Sequence, residues 1–255
     1  MQVWRTIPEW LDRRHALAGR GIGFVPTMGA LHRGHASLVE RCRRENDIVV
    51  VSIFVNPAQF NDPKDLERYP RTLDRDVALL ESLDVDEVLA PAASEMYPCG
   101  NRFRMECDHR YRIMEGACRP GFLEGVMTVV LKLLNLVRAD RAYFGEKDYQ
   151  QLTIIQDMVS DFFIPTEIIA CPTVREDSGL AESSRNALLS DESRGRAATV
   201  FRALTEASNP AEARARIEAE GFKADYVEEH WGRRFAAAFL DGVRLIDNVP
   251  VSGRE

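Results

Sequence analysis

His32 and His35 stand three residues apart in Pro26-Thr27-Met28-Gly29-Ala30-Leu31-His32-Arg33-Gly34-His35, between a short apolar run and a helix-like pattern. That spacing puts both imidazoles on one helix face, where they can reach one ligand together. A neutral imidazole donates a hydrogen bond to a phosphate oxygen; an imidazolium also neutralises charge that develops during a reaction. Gly29 and Gly34 let the backbone approach a ligand, and a helix N-terminus offers N–H groups to a phosphate. His35 also shares a stripe with Leu38 and Cys42, the placement of a core histidine. The pair lacks the carboxylate of an H-E-x-x-H site, so no protein side chain is assigned to a metal. The loop carries neither G-x-G-x-x-G nor a Walker lysine.

Three more segments hold chemistry-bearing side chains. Asn56 and Gln59 follow the apolar run Ile48 to Val55, where amides can fix hydroxyl and carboxylate groups; Asn56-Pro57 can equally start a turn. In Phe144-Gly145-Glu146-Lys147-Asp148-Tyr149-Gln150-Gln151, Lys147 and Gln151 are four apart on what reads as the opening turn of a helix. A lysine there opposes the helix dipole, which makes sense beside a bound anion; the alternative is a solvated lysine paired with Glu146 or Asp148. Glu182-Ser183-Ser184-Arg185-Asn186 joins two hydroxyls to a guanidinium, a set that suits a polyphosphate but also an ordinary polar turn.

Alternating elements position these segments. Strands are expected at 22–25 (ending at Pro26), 48–55, 87–90, 142–144 and 166–171, with one more near 103–107. Helices are expected at 6–18, from 31 to about 46, and at 71–83, 124–137 and 147–162. Parallel strands need crossover connections, so the alternation predicts an α/β fold, a Rossmann-like doubly wound parallel sheet over residues 1–172. In such sheets ligands bind beyond the carboxyl ends of the strands. The pattern changes after Pro172. Helices at 191–207 and 211–220 and strands at 225–228, 236–240 and 244–246 predict a smaller C-terminal α+β domain, 173–255.

The chain has 255 residues, 45% of them hydrophobic, enough for a sizeable core. Its net charge is −7, from 33 basic and 40 acidic side chains with no long run of either sign. That balance excludes an extended nucleic-acid or membrane surface and requires a local cationic pocket for any anionic substrate. Five cysteines without C-x-x-C spacing fit a reducing cytoplasm.

The ordered set of motifs resembles the pantothenate synthetases. It comprises the Pro26–His35 stretch, Phe54-Val55-Asn56-Pro57-x-Gln59-Phe60, Tyr69-Pro70-Arg71-Thr72, Phe144 to Gln151, and Ser183-Ser184-Arg185-Asn186, with a looser match to Leu245-Ile246-Asp247-Asn248. The His32–His35 motif alone resembles only the wider nucleotidyl-transferase superfamily. The resemblance implies a ligase that activates pantoate with ATP as pantoyl-adenylate, then joins it to β-alanine, releasing AMP and pyrophosphate. It implies an ATP site of Met28, Gly29, Ala30, Leu31, His32, Arg33, Gly34, His35, Gly145, Glu146, Lys147, Asp148, Val174, Glu182, Ser183, Ser184 and Arg185. Gln59 and Gln151 would hold pantoate, with Asn56 beside them; His32, His35, Lys147 and Arg185 would be catalytic. Mg²⁺ would accompany ATP, and the active form would be a cytoplasmic homodimer joined through the larger domain. Phe122 stands where the family carries histidine, and Glu124 and Glu182 where it is often less acidic. A non-catalytic nucleotide-binding relative and a nucleotidyltransferase are the competing readings.

Overall fold

Ile48-Val49-Val50-Val51 is a β-branched run with no polar interruption, which only a strand covered on both faces can use. In the computed structural model, which describes residues 1–61 and 63–251, this run forms the middle of a six-stranded sheet. The last four residues of the expected second domain, 252–255, lie outside the described residues. The elements, in chain order, are β1 (Gln2–Trp4), α1 (Ile7–Ala16), β2 (Ile22–Thr27), α2 (Arg33–Glu45), β3 (Ile48–Ile53), α3 (Pro63–Arg68), α4 (Leu73–Ser82), β4 (Glu87–Leu89) and α5 (Ala93–Met96). There follow α6 (Met114–Cys118), α7 (Phe122–Val137), β5 (Arg141–Gly145), α8 (Tyr149–Asp161) and β6 (Glu167–Cys171). The chain then forms α9 (Asp191–Ala197), α10 (Thr199–Glu206), α11 (Pro210–Ala219), β7 (Lys223–His230), β8 (Arg233–Leu240) and β9 (Val243–Pro250). None of the described helices is long and apolar enough to cross a membrane.

All pairings in the first sheet are parallel, in the order β1-β4-β3-β2-β5-β6. The winding runs outward through β3 and β4 on one side of β2, and through β5 and β6 on the other. The β2/β5 boundary is therefore the switch point at which a crevice opens. That geometry also explains Pro26. The expectation ended the strand there, yet β2 continues through Pro26 to Thr27. β2 pairs with β5 only at Gly23 and Phe24, whereas its pairing with β3 runs to Thr27. Pro26 thus lies where one edge of the strand has lost its partner, and a missing N–H costs no ladder bond.

Two more local expectations are corrected. Residues 103–107 form no strand: Phe103 is exposed, and Met105 donates its N–H to the Thr128 hydroxyl of α7 at 3.2 Å. The alternation there meets a helix, not a sheet edge. The helix expected from 147 begins as a 3₁₀ turn, Glu146–Asp148, before α8, so Lys147 and Gln151 are not four apart on one α-helical turn.

The chain divides into two compact units, one of Met1–Gly145 and Gln150–Cys171, the other of Glu146–Tyr149 and Pro172 onward. In the first, Val25, Leu38, Val39, Cys42, Val49, Val51 and Tyr143 are among the residues of a core between the sheet and its helices. In the second, α10 and α11 pack Leu204, Ala213 and Ile217 onto an antiparallel sheet, β7-β8-β9, through Ala236, Ala238 and Leu245. The helix expected over 191–207 is broken at Ala198 into α9 and α10.

Candidate active site

In the first unit, the loop after β2 is folded by contacts that use up its own N–H groups. The Thr27 hydroxyl donates to the Ser52 carbonyl at 2.6 Å and accepts from the Gly29 N–H at 3.2 Å. Asp76 of α4, 1% exposed, accepts the Ala30 and Leu31 N–H groups, each at 2.9 Å, and the Thr72 hydroxyl at 3.1 Å. Gly29 has φ +80°, and a Cβ on it would stand 3.0 Å from the Asp76 carboxylate and 3.1 Å from Ile53, so only glycine fits the turn. Met28 is half-buried and Leu31 buried in this loop.

The two histidines together cap the start of α2. Gly34 N–H donates to His32 Nδ1 at 3.1 Å, and His32 N–H donates to His35 Nδ1 at 3.3 Å. The rings lie 4.1 Å apart, tilted by 45°. Because each Nδ1 accepts, the proton of each neutral ring sits on Nε2. His35 is half-buried, not the core histidine its stripe suggested. The expectation that this helix start presents backbone N–H groups to a phosphate is also revised. Those of residues 29–32 and 34 are engaged internally, and Arg33 is exposed beside the pair.

After β3, Asn56 is fully buried. Its Oδ1 accepts Tyr97 Oη at 2.8 Å and Ala58 N–H at 3.3 Å, and its Nδ2 donates to the Gly125 carbonyl at 3.1 Å. Burial pushes the Tyr97 phenol up, which keeps it a donor. Asn56 is therefore mainly a brace between this turn and α7, with one amide hydrogen left over. The brace presents Gln59, 7% exposed, whose side-chain amide bonds to no other described residue. The main-chain carbonyl of Gln59 accepts Arg119 Nη2 at 3.2 Å. The Arg119 guanidinium lies 3.5 Å from the Phe122 ring centre, so the phenylalanine at the departure position stacks on the arginine that steadies Gln59. Glu124 sits in the first turn of α7, where a carboxylate favours the helix dipole. Gly145 closes β5, and Gln151 is half-buried in α8 with its amide uncommitted among the described residues.

The other expected groups belong to the second unit. Lys147 is 16% exposed, with Nζ 3.9 Å from Asp148, long for an ion pair. The carbonyls of Glu146 and Lys147 accept from Asn248 of β9 at 2.9 and 3.0 Å. Val174 and Glu182 face each other across a small antiparallel bridge, Glu182 N–H donating to the Val174 carbonyl at 2.9 Å. The Ser183 hydroxyl accepts Arg185 N–H at 3.2 Å and starts the 3₁₀ turn Ser184–Leu188. Arg185 itself is exposed and makes no ion pair among the described residues. Arg194 stays firmly protonated beside Glu176, with Glu182 adding to the effect, so the Glu182 charge has a cation within reach.

The second unit thus carries an ammonium, a guanidinium and hydroxyls; the first carries two imidazoles at a switch point and two amides uncommitted among the described residues. The model of the family described as pantoate-beta-alanine ligase matches residues 2–250. The chain belongs to the pantoate–β-alanine ligase family. Among its relatives, the pantothenate synthetase of Bdellovibrio bacteriovorus is 51% identical over 250 residues, covering 98% of this chain and 99% of that protein. That of Cereibacter sphaeroides is 50% identical, with the same coverage of both chains. The pantoate-beta-alanine ligase of Francisella tularensis, solved with beta-gamma ATP and beta-alanine, superposes with a TM-score of 0.94 at 44% identity, covering 98% of this chain and 97% of that one.

For a pantoate–β-alanine ligase, the motif residues are readable in the sequence, but Asp76 and Asn248, which hold the histidine loop and the lysine turn, are not. Asp76 lay within reach of inference, since a carboxylate in the first turn of a helix just after Tyr69-Pro70-Arg71-Thr72 is a familiar cap. Asn248 lay at the end of the loosest motif, with no local signal of what it holds.

Proposed function

We propose that the chain condenses pantoate with β-alanine at the cost of ATP through a pantoyl-adenylate. A pantoate carboxylate oxygen attacks the α-phosphorus of ATP; a C–O–P linkage forms and the bond to the β-phosphate oxygen breaks, releasing pyrophosphate. The β-alanine amine then attacks the acyl carbon; the C–N bond forms, the acyl C–O bond breaks, and AMP and a proton leave. The observation that carries this reading is the reciprocal capping of His32 and His35. It holds two Nε2–H donors side by side at the start of α2, by the switch point where a triphosphate would lie.

His32 and His35 would bind phosphate oxygens, and Lys147 and Arg185 would offset the charge that builds on the departing pyrophosphate. Gln59 and Gln151 would hold pantoate through its hydroxyl and carboxylate groups, the kind of ligand an uncommitted amide at 7% exposure suits. Mg²⁺ enters with the triphosphate as part of the substrate. Imidazole, ammonium, guanidinium and hydroxyl are each chemistry for phosphate oxygens, and Mg²⁺ would share the neutralisation of charge. The same reading carries a homodimer formed through the first unit, in a reducing cytoplasm that suits five cysteines held as thiols; sedimentation checks the dimer.

The test is stoichiometric. With ATP, Mg²⁺, pantoate and β-alanine supplied, AMP, pyrophosphate and amide should form in equal amounts and depend on both acids. Pyrophosphate without amide would favour a nucleotidyltransferase, and no turnover a nucleotide-binding relative.

A further inference from the structure

Asn248 is 1% exposed, and an amide buried that deeply must find its partners in the protein. It finds them in the turn that carries the lysine. Both amide hydrogens are spent on consecutive carbonyls, Glu146 at 2.9 Å and Lys147 at 3.0 Å. The amide oxygen accepts Arg233 Nε at 2.5 Å. Arg233 in turn reaches the Glu146 carboxylate at 3.4 Å and lies 4.5 Å from the Tyr149 ring centre, so it grips the residues on either side of Lys147 and Asp148. Asp247, the preceding residue, accepts the Asn248 N–H at 2.8 Å and holds Arg175 through two bonds, at 2.6 and 2.9 Å. The strand is thereby fixed from its other side.

A three-residue 3₁₀ turn is too short to define its own shape. Among the described residues the Lys147 ammonium is held only loosely, by Asp148 at 3.9 Å. Its direction must come from its backbone root. We infer that Asn248 is a positioning residue for Lys147, setting through two carbonyls the point and angle from which the ammonium leaves the turn. The inference rests on the proposed reading that Lys147 stabilises the departing pyrophosphate. A shift of about 1 Å in such a group can cost about a hundredfold in rate.

Asn248→Asp tests it. The variant keeps the volume and the Arg233 contact but turns an acceptor oxygen toward two carbonyls. Two half-reactions are measured: pantoate-dependent exchange of labelled pyrophosphate into ATP, and amide formation from supplied pantoyl-adenylate and β-alanine. Exchange should fall by about a hundredfold while amide formation stays near the wild-type rate. A role in folding alone would lower both together, by the fraction of active protein lost; that result, or unchanged exchange, overturns the inference. Should Asn248→Asp not fold, Asn248→Ser, which keeps one donor and no charge, is read in the same two assays. Lys147→Ala runs beside them. Normal exchange in that variant removes the reading beneath the inference; loss there with normal exchange in Asn248→Asp removes the inference alone.

Discussion

The histidine loop of the first unit and the lysine turn of the second are held by buried side chains of opposite hydrogen-bonding sense. Asp76 is an acceptor and takes two backbone N–H groups from the loop. Asn248 acts on the turn as a donor and takes two backbone carbonyls. In the first case the N–H groups of residues 29–32 and 34 are consumed inside the loop, which leaves the side chains there to face outward. In the second the carbonyls are tied back, which turns electronegative atoms away from any anion the lysine meets. Each buried polar group thus decides which face of the backbone is left for a ligand. The histidines differ from the lysine in another way: their rings are structural, since both accept backbone N–H groups at the start of α2, the His32 ring from Gly34 and the His35 ring from His32.

The largest expected effect tests that second difference. Lys147→Ala should lower turnover by about 10²–10³-fold, the loss typical of one preorganised charge-stabilising donor, with thermal stability unchanged. His35→Ala should lose turnover and also about 1 kcal/mol of stability, because an N-cap acceptor goes with the donor. Thermal melts beside steady-state rates separate the two. A destabilised Lys147→Ala, or a His35→Ala with wild-type stability, would erase the distinction between a side chain that only acts and one that also holds.

Next in size is Asp76→Ala, which strands two buried N–H groups at roughly 1–3 kcal/mol each. The loop before α2 should loosen, and the KM for ATP should rise while that for β-alanine holds. Asp76→Asn, which keeps one acceptor, should lie between. Equal effects on both substrates would mean that Asp76 supports the unit in general rather than the loop. Gly125→Ala comes third. Its Cβ would stand 2.2 Å from the Ala58 carbonyl, a backbone clash that overpacks the site at a cost of about 1–3 kcal/mol. The displaced turn carries Gln59, so pantoate KM is the parameter to watch.

These residues also mark how far the sequence could be read. The strand at Ile48, the apolar helix ending at Val137 and the alternation that fixes a parallel sheet all carry their signal locally, in periodicity and β-branching. So do His32, His35, Lys147 and Arg185, whose residue types and loop positions mark them as candidates from the sequence alone. Asp76 and Asn248 do not, because their partners are 45 and 46 residues away in one case and 101 and 102 in the other. β1 was missed for a related reason: Gln2-Val3-Trp4 is a three-residue edge strand that pairs only with β4, 85 residues on in register at Val3–Val88. The strand expected near 103 was a false signal of the same kind, an alternating pattern answered by a helix across the chain.

The smallest effect concerns thiols, and it reports on the histidine frame without touching the chemistry. All five cysteines lie in the first unit. Cys42 is fully buried on α2 against β2, so close that a Cβ on Gly23 would stand 2.3 Å from its Sγ. Its protection therefore follows the seating of the helix that His32 and His35 begin. Burial pushes the thiol up to about 12. With a thiol reagent near pH 8, exposed Cys99 and Cys118 should react fast, Cys107 more slowly, and Cys42 and Cys171 only when the unit opens. The sign of the pH dependence follows from the raised value. An unfolded thiol ionises in the ordinary range, so the stability held by the buried neutral form is complete below that range and is lost as pH climbs toward 12. Protection of Cys42 should weaken over that interval, whereas β7, β8 and β9, which carry no cysteine, feel none of this linkage. Fast reaction of Cys42 at pH 8 would mean that α2 leaves β2 readily, and that the histidine loop is far less fixed than the lysine turn.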